Sequence, residues 1–147
     1  MSSPVPELTT FGSILRFAIE LEAATSAFYG SAVDVLEKDG LEALARELSA
    51  QHANRHRLLE RARQRVNEMV LEPIGGLDGG RYAFDPTPAP GDAVLARALA
   101  LEEIAGRFYA ETSAAARQTL VEASRTFRKL GEESARNAGR LRGLSEI

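Results

Sequence analysis

The stretch LRFAIELE at residues 15–22, with Phe28-Tyr29 six residues on, decides the fold of this chain. Eighty positions later the pattern recurs as LARALALE at 95–102, again with an aromatic pair, Phe108-Tyr109. Each copy places one glutamate inside an apolar stripe of helical period. A carboxylate that points into a helical core is costly unless its charge is compensated. Two such glutamates, related by an internal repeat, therefore predict one shared site.

The composition favours a single domain, residues 1–147, because this length is enough for one sizeable core. With 18 basic and 21 acidic residues the net charge is -3, which gives no reason to expect nucleic acid or an anionic membrane as a partner. No stretch approaches the roughly 18 apolar residues of a membrane span, and the first residues do not form a secretion signal. We therefore expect a cytoplasmic protein.

The chain contains no cysteine. Disulfides, thiolate metal ligands and thiol redox chemistry are therefore excluded. Any metal ion would have to use oxygen or imidazole ligands.

Apolar periodicity predicts four helices. The first begins after a cap at Thr9 or Thr10 and ends at Asp39-Gly40, and the second runs from about Leu41 to Val70. Asp92 is expected to cap the third helix, and the fourth begins near Thr119. The inward side of the second helix is predicted to carry Leu44, Leu48, Gln51, Arg55, Leu58, Leu59, Ala62, Val66 and Met69. That of the fourth helix is predicted to carry Phe127, Leu130, Ser134, Asn137, Leu141 and Leu144.

Residues 72–91 separate the two halves of the chain. This segment contains five glycines and four prolines, which no continuous helix tolerates, so it is predicted to be a crossover loop. Leu77, Tyr82 and Phe84 are expected to pin part of it to the helices. The predicted fold is all-α: a four-helix bundle of two related hairpins joined by a long crossover.

The two repeated stretches resemble the first and third helices of the rubrerythrin branch of the ferritin-like superfamily. The resemblance implies a bundle that holds two metal ions, iron or manganese, between facing helices. In such bundles two helices supply one glutamate each, and the other two supply a Glu-x-x-His pair each. Glu22 and Glu102 would then be metal ligands.

The second and fourth helices depart from the family pattern. In one register Leu48 and Ser134 take the glutamate position, while Gln51 and Asn137 take the histidine position. All four ligands are then lost.

A second register aligns Leu48 with Leu130. It retains Glu133 as a ligand but puts Arg136 in place of the histidine, and Gln51 and Asn54 are unsuitable in the second helix. Either register predicts a degenerate site.

His52 and His56 stand four residues apart and could share a metal ion. On a helical wheel centred on the apolar stripe, His52 lies at the edge and His56 farther out, which favours surface or boundary positions. Placing His56 at the family histidine puts Ala53 at the glutamate position and does not restore the pattern. The candidate metal ligands are Glu22, Glu102, Glu133 and His52.

Arg55 and Arg136 offer an alternative to metal, because each lies at or near the inner face and a guanidinium is a permanent cation with five donors. Otherwise both arginines extend into water. Protonation of either glutamate is a third way to remove its charge, since burial raises a carboxyl pKa. Tyr29 and Tyr109, at core spacing, either pack or hydrogen-bond to the site carboxylates.

These observations favour a ferritin-like protein with a degenerate metal site, acting as a binding or assembly module and forming a homodimer or another homo-oligomer. Its partner would be a protein or a small molecule, and it would need no cofactor. The alternative is an oxidoreductase of the rubrerythrin type, which would reduce peroxide or oxidise iron at an atypical iron or manganese site. A third possibility is a small-ligand pocket with the crossover as its lid. The sequence does not decide whether the protein is an enzyme.

Overall fold

The structure is a computed structural model that describes residues 7–36, 39–65 and 71–145. It contains α1 (Phe11–Val33), α2 (Asp39–Arg65), α3 (Val94–Ala116) and α4 (Val121–Ser145), with a short 3-10 helix, Gly79–Tyr82, between α2 and α3. α1 packs along α2, and α3 packs along α4. The described residues therefore form the predicted four-helix bundle of two hairpins.

The start of α1 follows the prediction, but its end does not. The Thr10 side chain accepts a hydrogen bond from the Ser13 backbone N–H, and the Ser13 side chain accepts one from the Thr10 N–H. α1 ends at Val33, ahead of the predicted stop, and Asp39-Gly40 begins α2 instead. Aspartate is favoured at helix starts, where free N–H groups and the helix dipole attract negative charge.

The boundaries of the other helices agree with the prediction to within a few residues. Asp92 does not cap α3, because the Ala93 N–H closes a turn on the Pro90 carbonyl and the helix begins one residue later, without a side-chain cap. α4 begins at Val121, close to the predicted Thr119. The predicted end of the second helix, including Val66 and Met69, lies outside the described residues.

The crossover packs against the bundle through its aromatic residues, as predicted. Tyr82 and Phe84 are buried, and Leu77 is partly buried against the same core. The Phe84 ring lies 5.9 Å from that of Phe17 on α1, and the Tyr82 ring lies 5.2 Å from that of Phe108 on α3. The crossover therefore covers the side of α1 that carries Phe17.

Backbone hydrogen bonds hold the beginning of the crossover to the N-terminal segment. The Phe11 N–H donates to the Glu72 carbonyl, and the Ile74 N–H donates to the Thr9 carbonyl, both at 2.9 Å. Ile74 is buried in the core. Across the described ranges, no helix has the length and apolar character needed to cross a membrane.

Candidate functional site

The two repeated glutamates meet at the centre of the bundle. Glu22 on α1 and Glu102 on α3 are both 0% exposed, as the sequence predicts. The Tyr29 hydroxyl donates to Glu102 Oε2 at 2.6 Å, and the Tyr109 hydroxyl donates to Glu22 Oε2 at 2.5 Å. The tyrosine of each repeat thus binds the glutamate of the other. α1 and α3 run antiparallel, and an approximate two-fold axis passes between them.

His52 lies between the two carboxylates. Its Nδ1 contacts Glu22 Oε1, and its Nε2 lies 2.8 Å from Glu102 Oε2. Because an ionised carboxylate only accepts hydrogen bonds, two ionised neighbours require both ring nitrogens to donate, as they do in an imidazolium. The prediction of a surface or boundary position for His52 is wrong, since the residue is fully buried.

Arg55, one turn after His52, supplies a second cation from the same helix. Its Nη1 donates to Ser134 Oγ at 2.8 Å and to Glu22 Oε2 at 3.4 Å, while its Nε donates to Glu133 Oε1 at 2.7 Å. Only 3% of the residue is exposed, so the hypothesis that this arginine faces inward is confirmed. Its Nη2 is buried without an acceptor among the described residues.

The side of α4 that faces the site carries polar but uncharged residues. Ser134 and Asn137 are buried there, as predicted. The Asn137 side-chain amide donates to Gln51 Oε1 at 2.6 Å and to Glu102 Oε1 at 3.2 Å. Arg136 is exposed, so its predicted place at the inner face is wrong.

Two close contacts between helices show which residues of α2 and α4 occupy equivalent positions in the two halves of the repeat. Ser49 exchanges hydrogen bonds with Ser26 on α1, and Gly131 packs on Gly106 of α3. Since Ser26 and Gly106 are equivalent in the repeat, Ser49 corresponds to Gly131. Counting from these residues, His52 corresponds to Ser134, and Arg55 to Asn137.

This correspondence aligns Leu48 with Leu130, as the second of the two predicted registers does. The residues that face inward, however, lie one position later in the chain than that register assumed. His52 and Arg55 are thus the inward pair of α2, and they have the three-residue spacing that the sequence analysis expected of a Glu-x-x-His pair. Leu48, which the other register placed at the glutamate position, is a core residue.

The inner stripe of α2 differs from the predicted one by a rotation of the helix. Its buried members are Leu41, Leu44, Ala45, Leu48, His52, Arg55 and Leu59. Leu58, predicted to face inward, is 45% exposed. Steps of three and four residues connect the buried positions from Leu41 through Leu59. The predicted stripe missed this signal because it included Gln51 and Leu58 and left out His52.

Charges at the site compensate one another. Burial alone would lower the pKa of His52, but the charge of Glu22 and hydrogen bonds to both carboxylates raise it to about 9. Burial alone would raise the pKa of Glu102, but the hydrogen bond and charge of His52 lower it. The lowered pKa favours the ionised form of Glu102 over the protonated one.

The two tyrosines remain neutral hydrogen-bond donors. Burial, together with the charge of Glu102, raises the pKa of Tyr29 well above its ordinary value. Burial and the charge of Glu22 do the same to the pKa of Tyr109. Tyr29 also stacks on the His52 ring at 5.7 Å, and Tyr109 stacks on Phe127 at 5.9 Å. Each tyrosine thus serves both packing and hydrogen bonding.

Two other predicted site residues lie at the edge of the cluster. Glu133 is about one-third exposed and is held by Arg55 rather than directly by the other carboxylates. His56 is partly exposed and pairs with Glu60 on its own helix. Of the four candidate metal ligands, the structure therefore joins Glu22, Glu102 and His52 directly, and Glu133 through Arg55.

The residues present do not fit a resident metal ion in this arrangement. Within residues 7–36, 39–65 and 71–145, no group of three or more histidine, aspartate and glutamate side chains could hold one. Both nitrogens of His52 are engaged by carboxylates, and the Arg55 guanidinium adds a permanent positive charge beside them. A metal ion would have to compete with both cations.

Comparisons with known proteins do not place the chain in a family. No family model matches it, and neither a curated protein nor a solved structure gives a significant match.

Proposed function

We propose that this chain is a ferritin-like, rubrerythrin-related bundle with a degenerate carboxylate metal site, and that it acts as a binding or assembly module. The observation that supports the proposal is the position of His52 and Arg55. These two cations bind the carboxylates that would otherwise neutralise metal ions. The centre is then balanced without a cofactor.

The burial of the cluster supports a binding role over a catalytic one. Glu22, Glu102, His52 and Arg55 are at most 3% exposed, and they hydrogen-bond to one another or to neighbouring side chains. The groups that another molecule can reach therefore lie on the outside of the helices. On this proposal, the buried cluster holds the two hairpins together and the surface carries the function.

Metal content tests the proposal. The protein is purified without chelator, offered ferrous iron or manganese under anaerobic conditions, desalted and analysed for bound metal. We expect no metal above the level found in a Glu22→Ala, Glu102→Ala double variant. The proposal fails if the wild type retains about one or two ions per chain, as in a di-iron bundle, and the double variant loses them.

A reverse experiment examines the role of the two cations. The variant His52→Glu, Arg55→His restores a Glu-x-x-His pair on α2, which is expected to increase metal uptake because carboxylate and imidazole ligands replace two positive charges. The matched control, Asn54→Glu with Arg57→His, puts a Glu-x-x-His pair of the same spacing on the outer side of the helix and should bind no more than the wild type. Equal uptake by both variants would count against cation replacement.

The alternative function is an iron or manganese oxidoreductase that reduces peroxide or oxidises iron at Glu22, Glu102, Glu133 and His52. The observation in its favour is that these oxygen and nitrogen ligands belong to one cluster. Metal retained by the wild type in the loading experiment would support this alternative and justify peroxide assays. Peroxide reduction would then need electrons from outside these 147 residues, because they include no cysteine for a rubredoxin-like module, whereas iron oxidation would need an oxidant such as peroxide.

Self-association is the form of assembly that we propose first, as a homodimer formed through an exposed helix face. Two large apolar side chains on the described helices, Leu58 on α2 and Val121 on α4, are about half exposed. Sedimentation velocity over a range of protein concentrations tests this part of the proposal. A monomer at every concentration would contradict it.

A further inference from the structure

The outer surface of the α2–α4 pair can be located from one ion pair. Glu47 on α2 and Arg140 on α4 bind each other across the junction, and both are about half exposed. Arg65 follows Glu47 by 18 residues, which is five helical turns, so it points in the same direction. By the same geometry, Lys129 lies about 20° from Arg140 around the α4 axis.

Six exposed cations lie within about 80° of Glu47 or Arg140 around their own helix axes, and we call them, together with Leu58, the α2–α4 basic face. They are Arg57, Arg61, Arg65, Arg125, Lys129 and Arg136. None of the six forms an ion pair within the part of the chain that the structure describes; Arg57 bonds only to the Asn54 side-chain carbonyl. The carboxylates on the same portion of α4 are Glu122, Glu132 and the partly exposed Glu133, of which Glu133 is bound by Arg55. The face therefore carries an excess of positive charge.

The opposite end of the same two helices has a different character. There Arg46 pairs with Glu42, and Arg140 pairs with Glu47. The unpaired cations of this face thus extend from the middle of the α2–α4 pair, at Arg136, to one end, although the whole chain has a net charge of -3. The excess positive charge is local and does not reflect the composition.

Leu58 adds an apolar contact point among these cations. It is 45% exposed and lies between Arg57 and Arg61 along α2. Protein interfaces typically combine an apolar centre with a polar rim, and arginine is enriched in them. The face has both features.

We propose that the α2–α4 basic face docks an acidic segment of a partner protein, with carboxylates on the arginines and an apolar side chain on Leu58. This inference rests on the proposed binding role. Nucleic acid fits less well, because Leu58 has no counterpart in a phosphate backbone. The net negative charge of the chain also disfavours a long polyanion, whereas a short segment interacts only with charges within a Debye length of about 8–10 Å.

The test uses three fluorescein-labelled probes of equal length, measured by fluorescence anisotropy at moderate salt. They are a peptide of alternating glutamate pairs and leucines, a polyglutamate peptide and a single-stranded oligonucleotide. We expect the glutamate–leucine peptide to bind most tightly. Its affinity should fall at least tenfold in Arg61→Glu, Arg65→Glu and several-fold in Leu58→Ser.

A matched charge reversal, Arg16→Glu with Arg117→Glu, changes two exposed arginines on α1 and after α3 and should leave the affinity unchanged. Melting temperatures confirm that each variant is folded. The proposal is overturned if the peptide does not bind, if both double variants bind it equally, or if the oligonucleotide binds more tightly. Metal content, measured separately, distinguishes this failure from that of the proposed function. If the wild type holds no metal and does not bind the peptide, only the docking proposal is overturned.

Discussion

The first hairpin brings two cations to the centre of the bundle, whereas the second brings none. At corresponding positions, α2 carries His52 and Arg55 while α4 carries Ser134 and Asn137. The residues just before His52 and Ser134 also differ in charge: Gln51 on α2 is neutral, whereas Glu133 on α4 is acidic. Charge compensation therefore comes from one helix, and it does not require the symmetry that the glutamates obey.

The repeat is stricter on α1 and α3. There each half supplies a glutamate and a tyrosine, and the two cross-bonds have similar lengths of 2.6 and 2.5 Å. The two helix pairs therefore have different roles. The repeated glutamates and tyrosines of α1 and α3 fix the geometry of the site, and the cations of α2, which α4 does not repeat, balance the charge of the glutamates.

The largest difference between the two hairpins is expected when Arg55 is replaced. Arg55→Met leaves a buried carboxylate without one of its cations, and we expect a loss of about 3–5 kcal/mol in the free energy of unfolding. The corresponding change in the second hairpin, Asn137→Leu, removes neutral hydrogen bonds and should cost about 1–3 kcal/mol. Urea denaturation measures both values. Equal losses would show that the asymmetry of charge has no energetic consequence.

Between pH 6.5 and 9, the pH dependence of stability should come mainly from His52. Its pKa of about 9 in the folded protein exceeds the ordinary value of 6.5, so its contribution is complete below pH 6.5 and is lost as the pH rises toward 9. At 1.36 kcal/mol per pKa unit, the free energy of unfolding should fall by about 3 kcal/mol over this range.

Two variants sharpen this prediction. His52→Gln should remove the decline between pH 6.5 and 9, because glutamine does not titrate. His56→Gln, on the outer part of the same helix, should retain it. If the decline survives in His52→Gln, another group is responsible.

Removing each tyrosine hydroxyl tests the symmetric part of the site. Tyr29→Phe and Tyr109→Phe each delete one hydrogen bond to a buried carboxylate, which should cost about 1.5–3 kcal/mol. Because the two bonds are equivalent, thermal or urea unfolding should give similar losses. A difference larger than about 1 kcal/mol, beyond the usual error for mutations of this kind, would contradict the equivalence.

The smallest effect is expected at the surface. Arg140→Ala breaks the exposed ion pair with Glu47, which joins the same two helices as the buried Arg55 contacts. We expect a loss below about 1 kcal/mol, reduced further by added salt, because water and ions screen exposed charges. A loss comparable to that of Arg55→Met would overturn the distinction between buried and exposed pairs.

Most of the fold could be predicted because its determinants are local. Helical periodicity, the Thr10 cap and the glycines and prolines of residues 72–91 each act over a few residues. The inward positions of Glu22 and Glu102 were predictable for the same reason. Errors arose at Asp39 and Asp92, where one residue type suits several positions around a helix end.

The candidate site was less predictable, because helix rotation within a bundle depends on all the neighbours at once. Apolar residues of α2 also lie beside its buried stripe. Because Leu58 was counted among the inward residues, the predicted stripe was rotated away from His52. A histidine is also costly to bury by itself. Its interior position is explained only by the carboxylates that contact both of its nitrogens.

By itself, the sequence determined four amphipathic helices, a crossover between two related halves, and a pair of glutamates on inward faces. Those features follow from periodicity and turn chemistry, which are properties of short segments. Only the tertiary structure decided which groups neutralise the glutamates. That choice depends on contacts across the bundle, from α2 to both α1 and α3, where a rotation of one helix by a single residue exchanges Gln51 for His52 at the centre of the site.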